Sequence, residues 1–298
     1  TCLGGRRLPQ EMPSWELTVD DEDWQTLHEL WWEDDYFPCT LTEDDVVYEQ
    51  GCEVRPYGST SRGYPKKSLR IRFPEDHDHP GFSRKITLRA EYNDPTYLRT
   101  YLGYESFRRL SAIPTPRTRH VRLLVNGEVY GLMLEMERTG GKFLEHNGRD
   151  RNGSTYEAEH APPHGALMPM PSAEEYAVFD DDVLYNKKTG DPDDYSDLIE
   201  LIEDVLWPDY VDSGTSGSTV LDRTAAVVDV DAQVTYLAIM ALLQNRDHVA
   251  ANYHISLQRD PQYEPRWEVY PYDVDTTFGC VYDEVVLGDA LAIQQQLT

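Results

Sequence analysis

Positive charge is scarce in this 298-residue chain: 27 Lys and Arg stand against 54 Asp and Glu, a formal charge of −27 at pH 7. A surface so acidic repels nucleic acid and anionic lipid, so neither is an expected partner, whereas cations and basic proteins are favoured. Long apolar runs are missing too. The longest, Tyr236 to Leu243, falls far short of the ~20 residues that cross a bilayer, so no membrane span is expected. No basic stretch followed by an apolar core stands at the amino terminus, so no signal peptide is read in the sequence, and a first residue of Thr fits a processed or trimmed chain. Cysteine is limited to four, too few for a disulfide scaffold at this length. The absence of CxxC removes a structural zinc site. GxGxxG and HExxH are absent as well, and Gly140-Gly141-Lys142 runs into Phe143, which rules out a P-loop. His77-Asp78-His79 reads as an exposed loop rather than a metal site.

What is present is a globular composition. Hydrophobic residues make up 40% of the chain, and with 19 Gly the apolar share is ordinary for a chain that buries a core. Strands are expected near 36–41, 46–56, 67–73 and 85–91, with a short helix capped by Asp20 or Asp21 before them. Asn93-Asp94-Pro95 signals a second helix running to about Ala112. Asn126-Gly127 joins two β-rich runs, 120–125 and 129–136, as a tight hairpin. Residues 138–184 are rich in Gly, Pro and His and read as irregular loops. A helix carrying Leu198, Ile199, Ile202 and Leu206 follows, then a Gly/Ser/Thr linker at Ser213–Ser218. A helix over about 229–244 shows Val230, Val234, Leu237 and Ala241 on one face, and strands at 253–258 and 266–272 close the chain as a β-hairpin. The class is α+β with two lobes and a cleft between them: a β-rich lobe over about 10–137 and a helical lobe over about 185–298. Cys39 and Cys52 flank an expected turn, a spacing that suits a cross-strand disulfide in an oxidising compartment; Cys2 and Cys280 either pair or stay free.

Chemistry-bearing residues concentrate between Asn245 and Gly279. Asp247 and Asn252 lie five apart, after a helix and before a hairpin, and Asp273 and Asp275 follow that hairpin. Phosphoryl transfer from a nucleotide needs a carboxylate to orient the attacking hydroxyl and hard oxygen ligands for Mg²⁺. Protein kinases use this spacing and order. A calcium loop from Asp273 through Asp275 to Glu284 fails, because Phe278 stands where the sharp turn requires Gly. On the β-rich side, strand alternation puts Lys67 on the inward face with Leu69, Ile71 and Phe73, and Lys66, Arg70 and Arg72 outward. A Lys among apolar residues is costly unless paired, which makes Lys67 a candidate with Lys66 as its understudy. Arg62, Ser59 and Ser61 are placed to hold phosphate oxygens, and Glu137 is an expected partner for Lys67, or else a solvated strand-end residue.

These stretches, in order, resemble the spore-coat CotH kinase family, an atypical secreted branch of the protein-kinase-like fold. The resemblance rests on Tyr64-Pro-Lys-Lys-Ser68, Leu88 to Pro95 with Leu98-Arg99, Val125-Asn-Gly127 with Gly131 to Glu137, Phe143-Leu144, Asn245 to Asn252, and Trp267 through Gly279. It implies a two-lobed kinase-like fold, ATP with Mg²⁺ or Mn²⁺ as cofactors, and phosphorylation of Ser or Thr in a secreted or surface protein. A basic, Ser-rich substrate and an extracellular location follow from the same resemblance. Asp247 would be the catalytic-loop acid, Asn252 and Asp273 would bind metal with Asp275 as an optional further acid, and Tyr64 and Trp267 would sandwich adenine. Adenylylation or glutamylation on the same fold, or a non-catalytic adhesion module, are the alternatives. Two departures stand out: Gly58-Ser-Thr-Ser-Arg62 replaces the family's frequent Gly-Asn-Ser-Ser-Arg, and the sequence ends at Thr298 where members commonly continue with further helices.

Overall fold

The computed structural model describes residues 12–75, 77–159, 165–179, 182–208, 219–245, 247–248, 251–259 and 264–279. Cys2, Cys280, Glu284 and the linker at 213–218 lie outside them. The class is α+β, and the chain divides into two compact units. Unit 1 holds residues up to 101 together with 116–138, and unit 2 holds 102–115 with everything from 139.

Unit 1 is a closed barrel. Its elements are β1 (Ser14–Val19), α1 (Asp21–Glu29), β2 (Phe37–Glu43), β3 (Val46–Tyr57), β4 (Ser68–Arg72), β5 (Lys85–Arg89), the start of α2 (Arg99–Leu110), β6 (Thr118–Val125) and β7 (Glu128–Met136). The strand order is β1-β2-β3-β4-β5-β7-β6, closed by a parallel pairing of β1 with β6. Alternation builds the interior. Trp15, Leu17 and Val19 of β1, Leu69 and Ile71 of β4, and Val121, Leu123 and Val125 of β6 are buried in one cluster, while their neighbours in sequence are more exposed. Asn126 and Gly127 both take positive φ, 49° and 82°, as the tight hairpin turn between β6 and β7 requires. Asn126 also braces the barrel: its Oδ1 accepts from the Val19 amide and its Nδ2 donates to the Val19 carbonyl, both at 2.9 Å. Cys39 and Cys52 are cross-strand partners on β2 and β3 and form a disulfide. The first helix is capped by Asp20, which accepts from the amides of Glu22 and Asp23.

The second helix starts later than Asn93-Asp94-Pro95 suggests. Asp94 accepts from the Thr96 amide and hydroxyl and from the Leu98 and Arg99 amides, so 94–98 forms the lead-in turn.

Unit 2 takes most of α2, whose Tyr104 and Phe107 are fully buried; the Phe107 ring lies 5.4 Å from Tyr236. It continues with α3 (Gly141–His146), β8 (Ser154–Ala158), a two-residue ladder of β9 (Val178–Phe179) and β10 (Asp182–Val183), and β11 (Tyr185–Thr189). Then come α4 (Ser196–Glu200), a π-helical segment Leu201–Leu206, α5 (Val220–Val227), α6 (Val230–Leu243), β12 (Tyr253–Gln258) and β13 (Arg266–Pro271). The expected closing hairpin is therefore half of a four-stranded antiparallel sheet, order β11-β8-β12-β13. Residues 138–184 are correspondingly not all loop, since α3 and β8 lie within them. Every residue of β8 is buried, so it shows no alternation to read.

In α6 the face legible from spacing is the wrong one. Tyr236, Ile239, Met240 and Leu243 are buried, while Val234 and Leu237 are exposed. A helix apolar all round has no single stripe that spacing can pick out.

Candidate functional site

In unit 1 the candidate residues sit on the loop before β4. Gly58 has φ 111°, and a Cβ there would collide with the Ser61 hydroxyl, so the loop folds back on itself only with glycine. Arg62 braces this loop. Its Nε donates to the Gly58 carbonyl at 2.6 Å, and its guanidinium reaches the Trp32 and Glu33 carbonyls and the Asp34 carboxylate, the last at 2.7 Å. The hydrogen bond from Arg62 and the nearby Arg55 hold the Asp34 carboxyl below the ordinary Asp range. The group expected on phosphate oxygens is thus engaged in holding its own loop closed.

Lys67 is buried, as its inward position implies. Its Nζ donates to the Arg62 carbonyl at 2.6 Å and lies over the Trp31 ring, and the Tyr130 hydroxyl bridges its backbone amide and carbonyl. Glu137 is not its partner. That carboxylate accepts from the Arg117 amide and guanidinium at 2.8–3.1 Å, because the two residues close the β6–β7 hairpin side by side. Lys66 corrects the reading of alternation. Both lysines precede β4, which starts at Ser68, so pleating does not govern them. Lys66 turns inward instead, donating to the Ala90 carbonyl at 3.0 Å and to the Leu132 carbonyl, with its ammonium 4.7 Å from the centre of the Tyr97 ring. Burial pushes its pKa down to about 8 against the opposing pull of Glu91. Tyr64 stacks on Tyr92, ring centres 5.0 Å apart, and its hydroxyl accepts from Asn93.

Sequence reasoning about single residues missed Glu91, although it lies inside a stretch that carries the family resemblance. Its carboxylate is 1% exposed and accepts from Arg89 Nε at 2.9 Å and the Thr100 hydroxyl at 2.7 Å.

In unit 2 the candidate acids converge at one end of the β12–β13 hairpin. The helix α6 stops at Gln244, a left-handed cap, and Asn245 then accepts the Asp247 amide at 2.9 Å. Asn252 donates through Nδ2 to Asp247 Oδ2 at 2.8 Å and, more weakly, to the Asp247 carbonyl at 3.4 Å. With Nδ2 turned to the carboxylate, Oδ1 is the end of the amide left to act as a ligand. The Asn252 backbone is left-handed, φ 58°, and its amide donates to the Ala158 carbonyl at 2.9 Å. Tyr253 pairs with Pro271, so Asn252 and Asp273 both leave the hairpin at that same end. Asp273 is left-handed too, φ 46°, and opens the 3-10 turn Val274–Thr276 that carries Asp275. Two anchors fix this turn. Val274 fills the space beside Gly103 of α2, where a Cβ would stand 2.8 Å from its side chain, and the Phe278 amide donates to the Leu243 carbonyl. Non-glycine residues held left-handed cost energy and gather where position matters more than comfort.

Trp267 does not present a face to a ligand. It is 4% exposed, its ring 6.3 Å from Tyr156, inside unit 2.

The donor set fits a hard divalent cation: one amide oxygen and carboxylates, with no soft ligand among the residues named. Among the described residues no group of three or more His, Cys, Asp and Glu could hold a metal alone. Mg²⁺ bound to nucleotide phosphates needs only one or two protein carboxylates, so the two observations agree. Among the described residues no helix is long and apolar enough to cross a membrane.

Asp247 and Asn252 thus stand five apart on a loop after a helix, with Asp273 beyond the hairpin, and the family comparison spans all three. The sequence profile described as CotH kinase protein matches residues 54–296, and the chain belongs to that family. Inner spore coat protein H of Bacillus subtilis (strain 168) is 28% identical over 284 residues, covering 95% of this chain and 74% of that protein.

Proposed function

We propose that the chain transfers the terminal phosphoryl group of ATP to Ser or Thr hydroxyls of a secreted or surface protein. The observation that supports this best is the bonded pair Asp247 and Asn252, set beside Asp273 at one end of a hairpin, with both prospective ligand residues in left-handed backbone. In this reading Asp247 orients the acceptor hydroxyl and takes its proton as the new O–P bond forms and ADP departs. Asn252 Oδ1 and the Asp273 carboxylate would hold Mg²⁺ or Mn²⁺, which when bound would neutralise charge on the phosphates; Asp275 lies two residues further on, within the 3-10 turn. For unit 1 the reading keeps Lys67 as the phosphate-directed cation. It makes Lys66, caged by two carbonyls and a ring, and Arg62 supports of the loop. Little covalent chemistry falls to the protein, so catalysis is positioning and charge stabilisation.

The disulfide Cys39–Cys52 and the coat location in the relative's name support an extracellular place. The charge of −27 favours a basic substrate. The experiment is incubation with Mg²⁺ or Mn²⁺ and ATP, a basic Ser-rich peptide and the chain itself serving as acceptors, with intact mass as readout. A phosphate-sized gain that Asp247→Ala and Asp273→Ala both abolish is the expected result. An adenylate- or glutamate-sized gain replaces the reaction; no gain with no nucleotide binding leaves a binding module.

A further inference from the structure

Unit 2 buries a chain of ionisable groups that the phosphotransfer reading leaves without a task. Glu157 on β8 lies between its two neighbouring strands. Lys188 of β11 brings Nζ to 2.5 Å from Glu157 Oε2, and His254 of β12 brings Nε2 to 3.4 Å from the same oxygen. Their side chains are 15%, 9% and 1% exposed for Lys188, Glu157 and His254. His254 and Glu157 are direct cross-strand partners, so both point to one face of the sheet. Beyond His254 stands Tyr272, its ring edge-on at 4.6 Å, and Tyr272 immediately precedes Asp273. The next residue of β8, Ala158, holds the Asn252 amide. Glu157-Ala158 therefore leads by one contact to Asn252 and by two to the residue that opens the Asp273 corner.

Stability alone does not explain the arrangement. Two charged groups inside a sheet are commonly matched or bettered by apolar residues of similar volume. Neither ring nitrogen of His254 makes a hydrogen bond, Nε2 standing 3.4 Å from Glu157 without the geometry of one, a cost that an ordinary sheet position sheds. Burial works against a charge on Glu157, yet the contacts with His254 and Lys188 hold its carboxyl well below the ordinary range. A satisfied charge pair of this kind fixes geometry, since any shift of a strand strands a charge.

We infer that Glu157 is a positioning residue which, with Lys188 and His254, fixes Tyr272 and thereby sets the Asp273 corner against Asn252. The inference rests on the phosphotransfer reading for the role of those two corners.

The test uses the full chain with Glu157→Gln, the double variant Glu157→Gln/Lys188→Met, His254→Ala and His254→Phe. Three readouts are taken: thermal midpoint, amide hydrogen exchange without ligand, and calorimetric affinity for Mn²⁺–ATP. Glu157→Gln should speed exchange in peptides holding Asn252 and Asp273 and weaken Mn²⁺–ATP binding by ~10–100-fold, the usual effect of losing a partner behind a metal ligand. The double variant, which removes the Lys188 charge together with that of Glu157, should recover the thermal midpoint but not the affinity. His254→Phe, which keeps a ring against Tyr272, should retain most of the affinity that His254→Ala loses. Affinity that simply follows the thermal midpoint across the set, or exchange that rises evenly through unit 2, overturns the inference. Wild-type chain that binds no Mn²⁺–ATP while exchange still changes at the two corners sinks the phosphotransfer reading and leaves the coupling of Glu157 to those corners standing.

Discussion

The barrel of unit 1 and the four-stranded sheet of unit 2 bury their strands differently. In the barrel the inward cluster is apolar; the buried polar groups Lys67, Glu91 and Glu137 lie in loops or at strand ends, and of those within the strands Glu135 of β7 is answered by Arg119 at 2.6 Å. In the sheet, β8 and β12 are buried on both faces, and one of those faces carries Glu157 and His254 within the strands themselves. Apolar closure gives a barrel its strength at little cost in polar desolvation. Polar burial inside a sheet gives up some of that strength to hold particular atoms in place. Unit 1 is therefore the region where substitution should cost stability, and unit 2 the region where it should cost function first.

The largest expected effect lies in unit 2. Asp273→Ala and Asp247→Ala should each lower phosphotransfer by ~10³-fold or more, the scale of losing a positioned acid or a group that stabilises charge. Their urea midpoints should stay near wild type, because both residues are only half-buried. An active Asp273→Ala enzyme would remove that residue from the site. Next comes the barrel. Leu69 is fully buried between its β3 and β5 neighbours Pro56 and Leu88, and Leu69→Ala should cost about 2–5 kcal/mol in urea unfolding. Nucleotide affinity measured well below the transition should change little. If the two substitutions exchanged signatures, the division of labour between barrel and sheet would be wrong.

The same contrast explains what could be read from sequence. Barrel strands such as 46–56 and 129–136 were legible to within a few residues of Val46–Tyr57 and Glu128–Met136, because one face is apolar and the other is not. Asn126-Gly127 was legible because few other residue pairs accept two positive φ angles. The strand β8 was not legible: Ser154–Ala158 buries both faces and shows no period. Of the candidate site, order and spacing singled out Asp247 and Asn252, though not the hydrogen bond between them. The left-handed backbone at Asn252 and Asp273 did not, since Asn and Asp populate several conformations and tertiary contacts choose among them. Lys66 and Lys67 show the limit of alternation, which says nothing about residues just outside a strand. Trp267 shows another: an aromatic in a hairpin reads the same whether it faces a ligand or Tyr156.

A smaller effect should separate the disulfide from the barrel's packing. Cys39 and Cys52 close a loop of 13 residues' separation, for which the chain-entropy account gives about 3 kcal/mol. Reduction, or Cys39→Ser/Cys52→Ser, should lower the unfolding free energy of the chain by about that much or less. Circular dichroism of the reduced chain should still show the strands, because the barrel interior does not depend on the bond. Loss of the strand signal on reduction would mean that apolar closure is insufficient, and the contrast with unit 2 would narrow.

The smallest effect is a slope rather than a loss. In the folded chain burial holds Lys66 at about 8, against 10.5 for an exposed lysine. Between those values the unfolded chain still binds a proton that the folded chain has released. The unfolded state then binds more protons, so stability rises with pH across that window. Below about pH 8 the ammonium is charged in both states and contributes no slope. Tyr130, pushed up to about 12 by burial, acts with the opposite sign, because it resists ionising in the folded chain and favours folding less as pH passes its unfolded value near 10. The clean interval is therefore pH 8 to 10. Wild type and Lys66→Met, unfolded in urea at intervals across that range, should diverge, with wild type gaining on the variant as pH rises. Parallel curves would mean that the Ala90 and Leu132 carbonyls satisfy the ammonium as fully as water does, and that even at its loops the barrel keeps charge at no cost.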